Sequence, residues 1–124
     1  MAAPQQKHIL IVDDDPVIRT VTVEMLKRLN CRARAVDSGE AALAAIRDQD
    51  WNVILIDLAM PDMSGVQLYS AVRAACPSLP VVIMTGLTTS APDALVADGS
   101  PTWLLYKPFS VGELDAVLAR AVSD

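Results

Sequence analysis

The stretch Asn52-Val53-Ile54-Leu55-Ile56-Asp57 constrains this chain more than any other. Its consecutive branched apolar residues read as a strand buried on both faces, the kind found inside a parallel sheet with helices on either side. The run stops at a carboxylate. Pro61, Ser64 and Gly65 follow within eight residues, so the chain turns and a helix can start. Asp57 then stands at the carboxyl end of a central strand, the edge at which ligands bind in open α/β sheets. Taken alone, an Asp at that place is more often a turn residue or a helix cap. The rest of the chain decides otherwise.

Strand-like and helix-like segments alternate five times. His8–Val12 is a short apolar strand, followed by Asp13-Asp14-Asp15-Pro16 and a helix from about Pro16 to Leu29. Acids and a first-turn proline suit that start. Ile18, Val21, Met25 and Leu29, with Leu26 beside them, form an apolar stripe, and Asn30 is a good stop. Arg32–Val36 alternates polar and apolar, as a half-exposed strand near a sheet edge does. A helix over about Gly39–Asp48 buries Leu43 and Ile46. The central strand Val53–Asp57 leads to a helix from about Ser64 to Ala75, with Val66, Leu68, Val72 and Ala75 available for burial. Pro80–Thr85 is another apolar strand ending in a polar residue. Ser90 with Asp93 resembles a capping box for a short helix from about Ala91 to Asp98. Thr102–Tyr106 is the fifth strand. Ser110 with Glu113 is a second capping box, opening a helix that runs to about Val122. The pattern predicts an α/β domain: a five-stranded parallel sheet in the flavodoxin-like order 2-1-3-4-5, with five helices shared between its two faces. Residues 1–124 read as one domain with its core over about 8–122.

Composition narrows the function classes. Hydrophobic residues make up 52% of the chain, which suits a two-faced buried sheet and excludes disorder. The formal charge of −5 disfavours nucleic acid and anionic membrane as partners. No apolar run approaches the roughly 20 residues of a membrane span. The polar start, Met1 to Lys7, is not followed by a signal-peptide core, so a cytoplasmic location is expected. Cys31 and Cys76 lack metal-type spacing and read as semi-buried thiols in a reducing compartment. His8 is the only histidine and cannot build a metal site or a triad by itself.

The polar residues gather at one edge. The first strand delivers Asp13, Asp14 and Asp15, the third Asp57, the fourth Thr85 and the fifth Lys107. Clustered carboxylates repel one another unless protons or a cation compensate. A hard divalent ion with oxygen ligands is the usual solution, and Mg²⁺ takes one to three carboxylates while leaving room for a phosphate oxygen. Lys107 adds a mobile positive charge and Thr85 a hydroxyl donor. Together these would stabilise the oxygens of a transferring phosphoryl group attacked by Asp57, since carboxylates do form acyl phosphates. No His or Cys in the set competes as nucleophile.

With these pieces in place the chain resembles a two-component response-regulator receiver domain, CheY-like, over nearly its whole length from about His8 to Val122. The resemblance is carried by Ile-Leu-Ile-Val-Asp13-Asp14-Asp15-Pro16, by Ile-Asp57-Leu-Ala-Met60-Pro61-Asp-Met63-Ser-Gly65, by Val-Ile-Met-Thr85-Gly86 and by Lys107-Pro108-Phe109, all in order and at the expected spacing. It implies that Asp57 is the phosphoacceptor, that Asp14 is a direct Mg²⁺ ligand and that Asp13 holds metal-bound water. Asp15 falls outside that pair. The backbone carbonyl of Ala59 would complete the metal shell. Thr85 would be the switch hydroxyl, Lys107 would bind a phosphate oxygen through a loop with a cis Lys107-Pro108 bond, and Gly65 would serve the turn into the third helix. The implied donor is a histidine kinase or histidine phosphotransfer protein. The implied output is a downstream protein bound by the face of the fourth helix, fifth strand and last helix, or a phosphorylation-dependent dimer. Such a domain is not an enzyme with turnover, although it promotes its own phosphorylation and dephosphorylation. It would be a stand-alone regulator, a phosphorelay intermediate, or a receiver from a larger regulator or hybrid kinase.

The sequence departs from the family in the fifth strand. The family places Tyr or Phe three residues before the lysine as the switch aromatic, and here that position is Leu104. Trp103 lies one residue earlier. Either a shifted register lets Trp103 take the aromatic's place, or coupling between Thr85 and an aromatic is absent. Ala59 and Leu87, two residues after the acceptor and after the switch Thr, are apolar and cannot orient an attacking water. A long-lived phosphoryl group is therefore expected. A receiver-fold binding module that never carries phosphate is the alternative, supported only by the unusual fifth strand. A flavin site would want a Ser/Thr/Gly-rich loop where three Asp stand, and an Asp-nucleophile hydrolase a second Asp where Ala59 stands.

Overall fold

The computed structural model describes residues 6–58, 65–86 and 101–122. Five strands, β1 (His8–Val12), β2 (Arg32–Val36), β3 (Val53–Asp57), β4 (Val81–Gly86) and β5 (Thr102–Lys107), form one sheet in the order β2-β1-β3-β4-β5. Every neighbouring pair is parallel. Four helices are present among the described residues: α1 (Pro16–Arg28), α2 (Gly39–Asp48), α3 (Gly65–Ala75) and α4 (Val111–Val122). The expected short helix at Ala91–Asp98 lies outside the described residues, so the count of five stands at four here.

Local chemistry explains the boundaries. Asp15 caps α1, its carboxylate accepting from the backbone N–H of Val17 at 2.9 Å and of Ile18 at 3.4 Å. α1 stops at Arg28, and Asn30 takes up a left-handed conformation at φ 60°. Ser38 caps α2 through the Ala41 N–H at 3.2 Å. Ser110 and Glu113 form the reciprocal capping box ahead of α4, at 3.0 and 3.1 Å.

Alternation along the strands sends side chains into two cores. Leu10, Val12, Ile54, Ile56, Val81 and Ile83 pack with Ala42 and Ile46 of α2 and Leu68 and Val72 of α3. Ile9, Ile11, Val53, Leu55, Val82 and Met84 pack with Leu26 of α1 and Leu114, Val117 and Leu118 of α4. All five residues of β3 are buried, as its sequence requires, whereas β2 keeps Arg32 and Arg34 in solvent. β5 is the other edge, and Thr102, Trp103 and Leu104 are only half-buried.

Of the apolar stripe expected on α1, Leu26 is buried and Met25 and Leu29 pack against the same core, but Val21 is 44% exposed and Thr22 is buried in its place. Ala75, expected to be buried, is exposed at the end of α3.

Candidate functional site

The parallel order brings the ends of β1, β3, β4 and β5 to one edge. Asp13 follows Val12 directly and is fully buried. One of its carboxylate oxygens accepts the Asp15 N–H at 2.9 Å, a local turn that aims the other oxygen across the sheet. That second oxygen accepts from Lys107 Nζ at 2.9 Å. Lys107 Nζ also lies 3.2 Å from Oδ1 of Asp57, which ends β3 and is nearly buried. Lys107 is the last residue of β5, in register with Gly86 of β4, and a cis bond joins it to Pro108. Thr85 is buried one residue before Gly86, and its hydroxyl makes a long contact to the Gly86 carbonyl at 3.4 Å. A weakly engaged hydroxyl can re-aim when a better acceptor arrives.

Burial draws the Lys107 ammonium toward losing its proton. The hydrogen bond to Asp13 and the charges of Asp57 and Asp13 outweigh that pull, and its pKa is raised above 10.5. Lys107 is therefore a permanent cation at neutral pH. It brings a single positive charge to a cluster of three carboxylates. One oxygen from each of Asp13, Asp14 and Asp57 lies within 4.8 Å of the others, with Asp14 on the exposed side. Such an oxygen-only, over-charged set fits a small hard dication. The Ala59 carbonyl expected in the same shell lies outside the described residues, as does Leu87, and Gly65 opens α3.

Sequence reasoning did not single out Arg19. Its guanidinium donates to the Asp13 carbonyl at 2.9 Å, tying α1 to the acidic turn. An Arg on an exposed helix face reads as a solvated charge, so no sequence signal marks it.

Trp103 and Leu104, the two positions weighed for the switch aromatic, lie on opposite faces of the strand. Trp103 packs with the core that contains Val82 and Leu114, on the α1–α4 side. Leu104 packs with Ile83 and Val81 on the opposite side. The register pairs Thr85 with Tyr106, which shares the face of Leu104 and is 43% exposed. Thr85 is thus paired in register with Tyr106, and the position three residues before Lys107 is filled by the aliphatic side chain of Leu104.

A family model described as the response regulator receiver domain matches residues 9–119. Among curated relatives, the DNA-binding transcriptional regulator NtrC of Proteus hauseri is 31% identical over 96% of this chain and 25% of its own length. The chain spans about a quarter of the length of the NtrC regulators it matches first. The crystal structure of the receiver domain of NtrX from Brucella abortus superposes with a TM-score of 0.85 at 27% identity, over 92% of this chain and 97% of that one. The receiver domain of a sensor histidine kinase from Pseudomonas aeruginosa PAO1, solved with a magnesium ion coordinated in its active-site cleft, gives a TM-score of 0.85 at 28% identity, over 97% of this chain and 100% of that one.

Proposed function

The chain belongs to the response regulator receiver domain family, and from that premise we propose that Asp57 is the carboxylate on which it accepts a phosphoryl group in two-component signalling. The observation that carries this reading is the Lys107 ammonium held 2.9 Å from Asp13 and 3.2 Å from Asp57 at the carboxyl edge of the sheet. A histidine kinase or histidine phosphotransfer protein is the donor. An Asp57 carboxylate oxygen attacks phosphorus of a donor phosphohistidine whose other ring nitrogen is protonated, the P–N bond breaks, and the electron pair stays on the released nitrogen. The product is an acyl phosphate on Asp57 and a neutral imidazole that keeps the proton on its other nitrogen.

Each residue has a defined task. Asp13, Asp14 and Asp57, with the Ala59 carbonyl, are the groups that would hold Mg²⁺. When bound, Mg²⁺ supplies charge compensation for the phosphoryl oxygens and the carboxylates. Lys107 has three N–H donors, two of them directed at carboxylates, and turns a donor to a phosphoryl oxygen. Thr85 gives up its long contact and donates its hydroxyl to the same group. Thr85 shares a face and a register with Tyr106, so its movement changes the surroundings of an exposed aromatic on the output side of β5. That face, with α4 and the segment before β5, meets a downstream protein or a second phosphorylated copy.

Residues 8–122 act as one domain, either alone or within a longer regulator or kinase like the relatives of which it spans a quarter. The chemistry is one phosphoryl group accepted and later released, with no substrate turned over. No helix among the described residues is long and apolar enough to cross a membrane. Cys31 and Cys76 are free thiols, in keeping with a place in the cytoplasm. Apolar side chains at positions 59 and 87 leave an incoming water without a partner, so the acyl phosphate is long-lived. Loss of the phosphoryl group within seconds at neutral pH in Mg²⁺ would contradict this.

The test is intact mass after incubation with Mg²⁺ and acetyl phosphate or phosphoramidate. The wild type gains one phosphate and Asp57→Asn gains none. A wild type that binds Mg²⁺ and gains nothing, or an Asp57→Asn variant that still gains phosphate, would overturn the assignment. The first of these results would favour the phosphate-independent binding module.

A further inference from the structure

The far end of β5 carries a second, unrelated polar constellation. Arg73, in the last turn of α3, donates from Nη1 to the carbonyls of Pro77 at 2.9 Å and Leu79 at 2.8 Å. Its Nη2 donates to the Pro101 carbonyl at 3.3 Å and to Thr102 Oγ1 at 3.0 Å. All four terminal N–H groups are thereby used. Tyr69, one turn earlier on the same helix, is buried, lies with its ring 5.2 Å from the guanidinium carbon, and shares a 2.9 Å hydrogen bond with Thr102 Oγ1. Arg73 Nε is buried without a hydrogen-bond partner. A buried guanidinium N–H without a partner is costly to keep, so the placement of this half-buried cation calls for a reason beyond filling space.

Its four acceptors divide between two segments. Pro77 and Leu79 lie on the approach to β4, and Pro101 and Thr102 open β5. The Pro101 carbonyl also accepts the Val81 N–H at 2.9 Å. α3 therefore grips the starts of β4 and β5 together, at the point where the register begins with Val81 opposite Thr102 and from which it runs to Gly86 opposite Lys107. β5 needs such a grip. Among the described residues it is an edge strand, with β4 as its single partner in the sheet, and its first three residues are only half-buried. Registers of partly exposed edge strands are weakly specified by burial alone. A slip of one residue would move Lys107 by about 3.3 Å and turn its side chain to the other face, away from Asp57.

We infer that Arg73 and Tyr69 are positioning residues for phosphoryl transfer: they clasp the first residues of β5 and so hold Lys107, at its last, over Asp57. This rests on the reading of Asp57 as phosphoacceptor. The two fail separately, because the wild type alone tests that reading.

The experiment measures the initial rate of phosphorylation by acetyl phosphate at saturating Mg²⁺, with Mg²⁺ affinity by calorimetry, for Arg73→Met, Tyr69→Phe and Thr102→Val in the full chain. Each is made in the wild type and in Lys107→Ala. We expect Arg73→Met to slow the reaction about tenfold and the two milder variants about threefold, as small misplacements of a catalytic group do. Mg²⁺ affinity stays within about twofold, and the clasp variants slow Lys107→Ala no further. Equal slowing in both backgrounds, or an equal fall in Mg²⁺ affinity, would overturn the inference and leave the clasp a general stabiliser. If Arg73→Met does not fold, Tyr69→Phe and Thr102→Val decide. If the wild type takes no phosphate, the side-chain ammonium NMR signal of Lys107 decides. A shift or loss of that signal in Tyr69→Phe supports the positioning role, and an unchanged signal refutes it.

Discussion

β5 meets a cation at each end, and the two are neutralised differently. Lys107 is held by buried carboxylates at 2.9 and 3.2 Å, within a cluster of three acids for one ammonium. Arg73 is held by three carbonyls, one hydroxyl and an aromatic face. Dipoles that are already saturated have no reason to rearrange. An anionic cluster with charge to spare has every reason to exchange its cation or to gain another. One end of the strand is therefore built to change partners and the other to stay. A switch needs both, because a group that moves is useful only relative to one that does not.

The comparison breaks most visibly if the carboxyl edge proves insensitive to added cation. Removing Lys107 takes the cation away from two buried carboxylates, Asp13 and Asp57, so Lys107→Met should cost about 3 kcal/mol of stability in EDTA. Saturating Mg²⁺ should recover more than half of that loss, since the ion binds the folded cluster and not the unfolded chain. Urea denaturation with and without Mg²⁺ measures both. An equal loss in the two conditions would mean that the acids are not a shared cation site. Arg73→Met tests the opposite end. Its carbonyl acceptors lose charge-assisted donors, for about 2 kcal/mol, and neither Mg²⁺ nor salt should alter that figure. A Mg²⁺-dependent loss there would place the clasp in electrostatic contact with the site and erase the distinction.

How far these ends were legible in the sequence follows from what each is made of. Asp13, Asp57, Thr85 and Lys107 each interrupt or end an apolar run, so the strand boundaries themselves announce them, and the order 2-1-3-4-5 brings them together. The capping box of Ser110 and Glu113 was equally open to reading, because its chemistry is local. β5 was not. Trp103-Leu104-Leu105-Tyr106 is apolar or aromatic throughout, so nothing in it says which residues face which helices until the register with β4 is known. Val21 on α1 was misplaced for a related reason. The helix's apolar residues occupy more than half the circumference, and a rotation of one residue exchanges Val21 for Thr22 at the buried face. Arg73 and Tyr69 left no mark, since an Arg in the last turn of a helix is the ordinary response to the helix dipole.

Alkaline titration sharpens the contrast with a smaller effect. The folded-state pKa of Lys107 is raised, because the hydrogen bond and charges of its acids outweigh burial. Its contribution is therefore fully present below the ordinary 10.5 and is lost as pH rises through the higher folded value. Wild type and Arg73→Met should thus share the same alkaline decline in stability, and Lys107→Met should show a shallower one. If Arg73→Met removes the decline, the titrating group has been misplaced.

The smallest effect tests whether the amino edge is wholly indifferent to protons, and His8 says that it is not. Its ring stacks on Trp51 with centroids 4.0 Å apart, and Asn52 Oδ1 accepts its backbone N–H at 2.7 Å. Desolvation, then the charge of Arg32 and last that of Arg34, lower its pKa below 6.5, against an opposing hydrogen bond to the backbone of Asp50. The folded state thus binds fewer protons than the unfolded chain just under that value. The stability this confers is present above 6.5 and is lost as pH falls through the folded pKa. Solvent screening at this partly exposed ring limits the loss to a few tenths of a kcal/mol. His8→Phe keeps an aromatic on Trp51 and removes the titration, so the difference in stability between it and wild type should widen on acidification from pH 7 to pH 5. The widening should be the same in Mg²⁺ and in EDTA, because His8 lies at the opposite end of β1 from Asp13. A Mg²⁺-dependent widening would mean that protons at one edge of the sheet are felt at the other, and the two ends of the molecule would have to be treated as a single electrostatic unit.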